Sequence, residues 1–360
     1  MLVTDTGEHV LKFGNFLFPS SLTPDDDGRV IRESLEEARL CDALGMDMLW
    51  LAEHHFDGIC AYVDPVSFAG AVLGATSQIT VGFAVAQMSL HHPVRMAEQM
   101  AMLDNLSEGR IVVGLGRGTA YNIYDYQGYG IDPDEAYERL LEAEAIMIKA
   151  WTTPNLVHEG RFWQLRMPEL RPRSYTRPHP PIIRACSGEE SMLGQAREGR
   201  PFLMNVQSNE VTAERMRKYR ETMLASGHDE AAVERNVSRT WVWRNIFVAE
   251  TDAEAERIAV PRFQEQLAHR KQMRERIYRE QGVRMKAETA GAPARATTSH
   301  ALLCGSPATV AEAIAEIDAI GVGGLILQFR LGAMPHDEAT ASIRLFMDEV
   351  ASEFSSRRAA

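Results

Sequence analysis

Eight short apolar runs recur along the 360-residue chain, separated by segments with helical spacing. This alternation limits the possible folds more than any other feature of the sequence. The runs are KFGNFLF (12–18), MDMLWLAE (46–53), ITVGFAVAQ (79–87), RIVVGLG (110–116), PIIRACS (181–187), RPFLMNVQ (200–207), SRTWVWRNIFVAE (238–250) and GGLILQF (323–329). Helical patterns lie between them, at 30–45, 64–77, 92–109, about 134–151, from about 189, at 211–227, about 252–285 and 309–321. A last one covers about 336–353. Asp64 followed by Pro65 reads as a helix cap and first helical position. Strands alternating with helices imply a parallel sheet. Eight of them close most naturally into a TIM-like (β/α)8 barrel, here with insertions. An open doubly wound sheet would call for GxGxxG after its first strand, but FPSSLTP follows, with no glycine. One barrel domain over residues 1–360 is expected, with a proline-rich insertion at about 152–180.

Bulk composition excludes several function classes. Thirty-eight basic residues face fifty acidic ones, a net charge of -12, which repels phosphate backbones and argues against a nucleic-acid partner. Cys41, Cys60, Cys186 and Cys304 form no CxxC pair, so reduced thiols and a cytoplasmic location are the simple reading. No apolar run approaches the ~18 residues of a membrane span, and MLVTDTGEHVLKFG lacks the basic-then-apolar signature of a secretion signal.

In such a barrel the chemistry sits at the carboxyl ends of the strands. The second run ends there in Glu53-His54-His55. Neighbouring residues on a strand point to opposite sides, so two adjacent histidines suit one metal ion poorly, and HExxH is absent. Proton chemistry is the functional reading; a packed structural histidine is the plain one. GLGRGTA (114–120) follows the fourth run. Its glycines let a ligand approach the backbone, and Arg117 could grip a phosphate; a turn with an exposed arginine is the alternative. RACSGEESMLGQA (184–196) crosses into a helix, where Ser187 is either an N-cap or part of an anion site with Ser191. Two tryptophans in TWVWR (240–244) share one strand face, as core packing or as pocket lining.

Taken together, KFGNFLFP, DMLWLAEHHF, ITVGFAVAQMSLHHPVRMAEQMAMLDNLSEGRIVVGLGRG and CGSPATVAEAIAEIDAIGVGGLILQF resemble the bacterial luciferase-like, flavin-dependent monooxygenase family, over residues 12–210 and 303–350. The resemblance implies a TIM-like barrel that is usually dimeric. It implies reduced FMN, supplied by a separate flavin reductase, which reacts with O2 to give a flavin hydroperoxide that oxygenates a small organic molecule. His54 matches the catalytic histidine, with Glu53 and His55 orienting it. Ala84-Val85 matches a non-proline cis peptide beneath the flavin. Arg117 matches the phosphate arginine, and Ser187, Glu190 and Ser191 match the loop that holds the same phosphate. Asp125 falls near an acid at the flavin edge. Cys186 stands in the cofactor loop where luciferase carries an acid, and Gly116 where it carries a reactive cysteine, so light emission from a long-chain aldehyde is not implied. Residues 256–300 correspond to a mobile lid. A partly apolar substrate would lie among Phe16, Phe18, Met88, Trp241 and Trp243. The rival readings are a deazaflavin-dependent dehydrogenase of the same superfamily, a non-catalytic flavin-binding subunit and a metal-dependent barrel hydrolase.

Overall fold

All eight expected strands are present, and they close. They are β1 (Lys12–Leu17), β2 (Met48–Leu51), β3 (Thr80–Phe83), β4 (Ile111–Gly116), β5 (Ile182–Cys186), β6 (Phe202–Met204), β7 (Trp241–Val248) and β8 (Gly324–Gln328). Each pairs in parallel with the next, and β8 returns to β1 through the partners Lys12 and Gly324. The computed structural model describes residues 10–355 except Pro19, Asp57, Ile59, 119–121 and 283–296. Helices α1 (Asp27–Ala43), α2 (Pro65–Ala75), α3 (Pro93–Leu106), α4 (Ile123–Gly128), α5 (Ala136–Thr152), α6 (Glu189–Arg197), α7 (Asn209–Ala225), α8 (Glu230–Val237), α9 (Asp252–Gln281), α10 (Pro307–Asp318) and α11 (His336–Leu345) complete the alternation. Asp64 caps α2 as expected, accepting from the Val66 and Ser67 amides.

Besides the short helix α4, three elements lie outside the sequence reading. Leu302–Gly305 adds a strand to the distal half of β7. Leu156–Glu159 and Gln164–Met167 form an antiparallel hairpin inside the insertion. It is pinned to α5 because Glu142 accepts from the amides of Arg161 and Trp163 and pairs with His158 at 3.0 Å. The short helix α8 is the third. Of the expected lid, 283–296 lies outside the described residues, and its first part is the long helix α9.

The period of two along each strand divides the core. Phe16, Met48, Trp50, Ala52, Ile183, Leu203, Trp241 and Ile326 fill the barrel. Leu17, Leu49, Leu51, Val81, Val113, Leu325 and Leu327 face the helices. Two indoles plug the interior, with ring centroids 5.2 Å apart at 72°. Glycines on neighbouring strands make room for them: a Cβ on Gly14 would lie 2.8 Å from Trp50 Nε1, one on Gly82 2.6 Å from its Cζ3, and one on Gly324 2.5 Å from Trp241 Cε3. Large side chains opposite small ones are how a narrow barrel fills itself. Trp241 therefore belongs to the packed floor rather than the substrate pocket. Met88, fully buried in the layer outside the barrel, also leaves the pocket expected for it. Only Trp243, one period further along, reaches the mouth.

Candidate active site

The inward series Met48, Trp50, Ala52 continues past the end of β2 to His54. Its ring stands edge-on to Phe18, 5.2 Å between centroids at 89°. The outward series Leu49, Leu51 continues to Glu53 and His55. One strand thus sends His54 to the barrel mouth and its two neighbours behind the wall.

There Glu53, 3% exposed, collects hydrogen bonds. Its Oε1 accepts from His55 Nε2 at 2.9 Å and from His91 Nε2 at 2.8 Å, and its Oε2 accepts the Gln87 amide at 2.6 Å. The Gln87 side chain donates to the Glu53 carbonyl at 3.0 Å and to Asp125 Oδ2 at 2.7 Å. Asn122 donates to the same Asp125 oxygen at 3.0 Å. Because His55 spends its Nε2 proton on Glu53, its Nδ1 is free to accept from the Tyr129 hydroxyl, 3.4 Å away. Burial alone would raise the Glu53 carboxyl. The bonds from His55, His91 and Gln87 outweigh it and bring the group down to about 2. For His91 burial works downward, and Glu53 overrides it and raises the imidazole. Asp125 is raised by burial, against the bonds from Gln87 and Asn122.

Next around the barrel, the Ala84-Val85 peptide is cis. Alternate residues of the glycine-rich stretch abut this segment: a Cβ on Gly114 would collide with the Phe83 carbonyl, one on Gly116 with Val85 Cγ2, and one on Gly118 with Gln87 Oε1. Those glycines make room for residues 83–87 and not only for a ligand, and Gly118 also has a φ of +77°. Arg117, exposed, lies 5.9 Å over the Tyr137 ring. Its carbonyl accepts from Ser89 Oγ at 2.8 Å and from the Tyr126 hydroxyl.

On β5, Ile183 faces into the barrel and Ala185, two residues on, is exposed. Cys186 takes the opposite side. Its thiol is buried in the helix layer with Met192 and Ala196, and burial pushes it up to about 11. The alternation that exposes Ala185 turns Cys186 away from the mouth, so the cysteine, expected in the cofactor loop, is placed in the core. Ser187 is exposed, and it is not the cap of α6; Gly188 is. Ser191 Oγ donates to the Gly188 carbonyl at 2.8 Å, and Glu190 pairs with Arg197 at 2.8 Å, pointing along the helix.

His54, Ala84-Val85, Arg117 and Ser187 therefore follow four consecutive strands at the same end of the barrel. His54 and Arg117 stem from strands two places apart, about 10 Å at ordinary strand spacing. His91, Gln87, Asn122 and Tyr129 were missed. A histidine pair before a helix-opening proline, in SLHHPVR, was the only local hint.

The family model described as luciferase-like monooxygenase matches residues 11–323. The chain belongs to that family. An alkanal monooxygenase alpha chain of the Kryptophanaron alfredi symbiont is 27% identical over 231 residues, 63% of this chain and 64% of that one. An uncharacterised protein of Sinorhizobium fredii is 37% identical over 179 residues, 49% and 52% of the two chains. The luciferase-like chain thus spans about half to two thirds of the length of these curated relatives. Among solved structures, a monooxygenase of Streptomyces bottropensis superimposes with a TM-score of 0.80 at 26% identity, covering 96% of this chain and 100% of that one. The oxygenating constituent of 3,6-diketocamphane monooxygenase from Pseudomonas putida, in complex with FMN, gives 0.76 at 20% identity over 96% and 99%. An F420-dependent secondary alcohol dehydrogenase gives 0.72 at 17% over 95% and 98%. The last two share the fold. Among the described residues no helix is long and apolar enough to cross a membrane, and no cluster of three or more His, Cys, Asp or Glu side chains could hold a metal ion.

Proposed function

We propose that this chain is the oxygenase component of a two-component FMN monooxygenase, acting on a partly apolar organic molecule. One observation carries the reading. Between His54 on one flank and Arg117 with Ser187 on the other, the strand ends present only small side chains, Ala84, Val85 and the exposed Ala185. Such a bed suits a flat ring with an anionic tail. Arg117 and the hydroxyls of Ser187 and Ser191, beside the first turn of α6, would hold the phosphate of FMN, and Ala84-Val85 would underlie its ring. Bound reduced FMN supplies the activation of O2.

The chain's own residues do the rest. His54 holds or moves a proton at its imidazole, facing the mouth. Glu53, kept ionised, fixes the tautomer and orientation of His55 and the placement of the loop that carries His54. Gln87 ties that carboxylate to Asp125, whose raised pKa lets it hold a proton closer to neutral pH than an ordinary aspartate. Phe16, Phe18 and Trp243 exclude water from the mouth, and α9 acts as the lid. A flavin reductase is the functional partner, a homodimer the expected assembly and the cytoplasm the expected location.

The test is anaerobic titration with reduced FMN followed by admission of O2, with His54→Ala in parallel. Saturable binding, O2 uptake, and a variant that binds FMN but loses turnover support the proposal. Binding of a deazaflavin with hydride transfer and no O2 uptake would replace it with the dehydrogenase reading, which the likeness to the F420-dependent structure keeps in play.

A further inference from the structure

On the β7–β8 side of the mouth three of the buried polar side chains are amides, and they are incompletely matched to one another. Gln266 on α9, Gln328 at the end of β8 and Asn245 on β7 are 7%, 0% and 1% exposed. Asn245 and Gln328 are register partners on adjacent parallel strands. Both continue the inward series of Trp243 and Ile326. Gln266 Nε2 lies 3.5 Å from Gln328 Oε1, at the outer limit of a hydrogen bond. The other amide nitrogens are committed elsewhere: Asn245 Nδ2 to the Ala301 carbonyl at 2.9 Å and Gln328 Nε2 to the Arg330 carbonyl at 3.1 Å. Those anchors fix which end of each amide is left over. Gln266 Oε1 and Asn245 Oδ1 have no partner among the described residues.

A buried amide oxygen without a donor is costly, and native chains rarely keep one without a use. Beside them the mouth is aromatic. Trp243 is 5.4 Å from Phe16, which stacks on Phe18 at 5.9 Å and 7°. We infer that Gln266, Gln328 and Asn245 form the polar end of the substrate pocket and select a hydroxyl-bearing molecule with a planar apolar body. A hydroxyl can donate to one free amide oxygen while accepting from the Gln266 nitrogen, whose existing bond is stretched. An ammonium would find no carboxylate in the trio. The word substrate here rests on the oxygenase reading; recognition of the hydroxyl does not.

The experiment uses two probes that differ by one oxygen. The full-length protein, without flavin, is titrated with 2-naphthol and with naphthalene, following probe fluorescence. The expected result is about tenfold or more tighter binding of 2-naphthol, since a site built to bond a hydroxyl rejects the analogue lacking it. Gln266→Leu should cut the ratio to about threefold or less, with naphthalene bound at least as well as before. Asn245→Leu, on a barrel strand rather than the helix, should do the same and stands in if the first variant fails to fold. Equal affinity for the two probes, no binding of either, or a ratio that survives both substitutions overturns the inference. Because no flavin is present, failure of FMN to bind leaves this outcome unchanged, and the two ideas fail separately.

Discussion

The two sides of the barrel mouth solve the same problem in opposite ways. On the β2–β4 side, Glu53, His55, His91, Gln87 and Asp125 bond one another, and within this group of five only Gln87 Oε1 lacks a hydrogen-bond partner among the described residues. On the β7–β8 side, Gln266 and Gln328 share one stretched contact, and Gln266 and Asn245 each leave an oxygen without a partner among the described residues. A closed network is rigid and poised, which is what proton handling needs. An open one is costly until something fills it, which is what recognition needs. On the proposed reading, the same fold separates the side that handles protons from the side that recognises a ligand.

The largest blow to that contrast is Glu53→Ala. It strands two imidazoles and a backbone amide around a buried void, and removing one partner of a buried charged network costs about 3 kcal/mol or more. Thermal unfolding should register it. The pH dependence of the parent gives a second readout. Glu53 has a folded pKa near 2, below its ordinary value, so its contribution is present above pH ~4.5 and is lost as pH falls toward 2. The parent should lose stability through that acid window, and the variant should show a shallower loss. Equal acid profiles would mean the network is not what closes this side.

Gly116→Ala comes next. Its new methyl collides with Val85 Cγ2 and should displace residues 84–85, the bed proposed for the flavin, so that if that proposal holds FMN binding weakens about tenfold, close to 1.4 kcal/mol. Adding Val85→Ala should restore most of the loss, because the two substitutions share one contact. An additive double variant would show that the bed does not depend on this packing.

How much of this could be read beforehand follows from range in the chain. The eight strands were legible because period-two and period-3.6 patterns are local. The direction of His54 was also local, fixed by counting along β2. The glycines of GLGRG were visible, but their neighbours at 83–87 were not: that contact exists only once two strands lie side by side. Gln87 and His91 reach Glu53 across 34 and 38 residues, and no local pattern carries such a pairing. Cys186 was misplaced because a motif position was followed where the strand alternation, had it been counted from Ile183, points the other way. Trp241 and Trp243 share a face, yet depth in the barrel divides them, and depth depends on Gly14, Gly82 and Gly324 from distant strands.

His91→Gln tests the solvent end of the closed network. The folded imidazole is raised above its ordinary value. Its contribution is therefore fully present below pH ~6.5 and is lost as pH rises through the folded pKa. The parent should lose stability across that interval, while the variant, with no titrating group at this position, should lose less. The measurement is the unfolding midpoint from pH 6 to 9. A parent already flat would detach His91 from Glu53.

The smallest effect should have the opposite sign. Gln266→Leu removes an amide oxygen that nothing satisfies and gives up only a 3.5 Å contact with Gln328. Replacing an unmatched buried polar group by an apolar one of similar size is neutral or stabilising by about 1 kcal/mol. In the ligand-free protein the unfolding midpoint should hold or rise, whereas the same chemical step on the closed side lowers it. A fall comparable to that of Glu53→Ala would mean that Gln266 already has a partner, and the two sides of the mouth would then be alike.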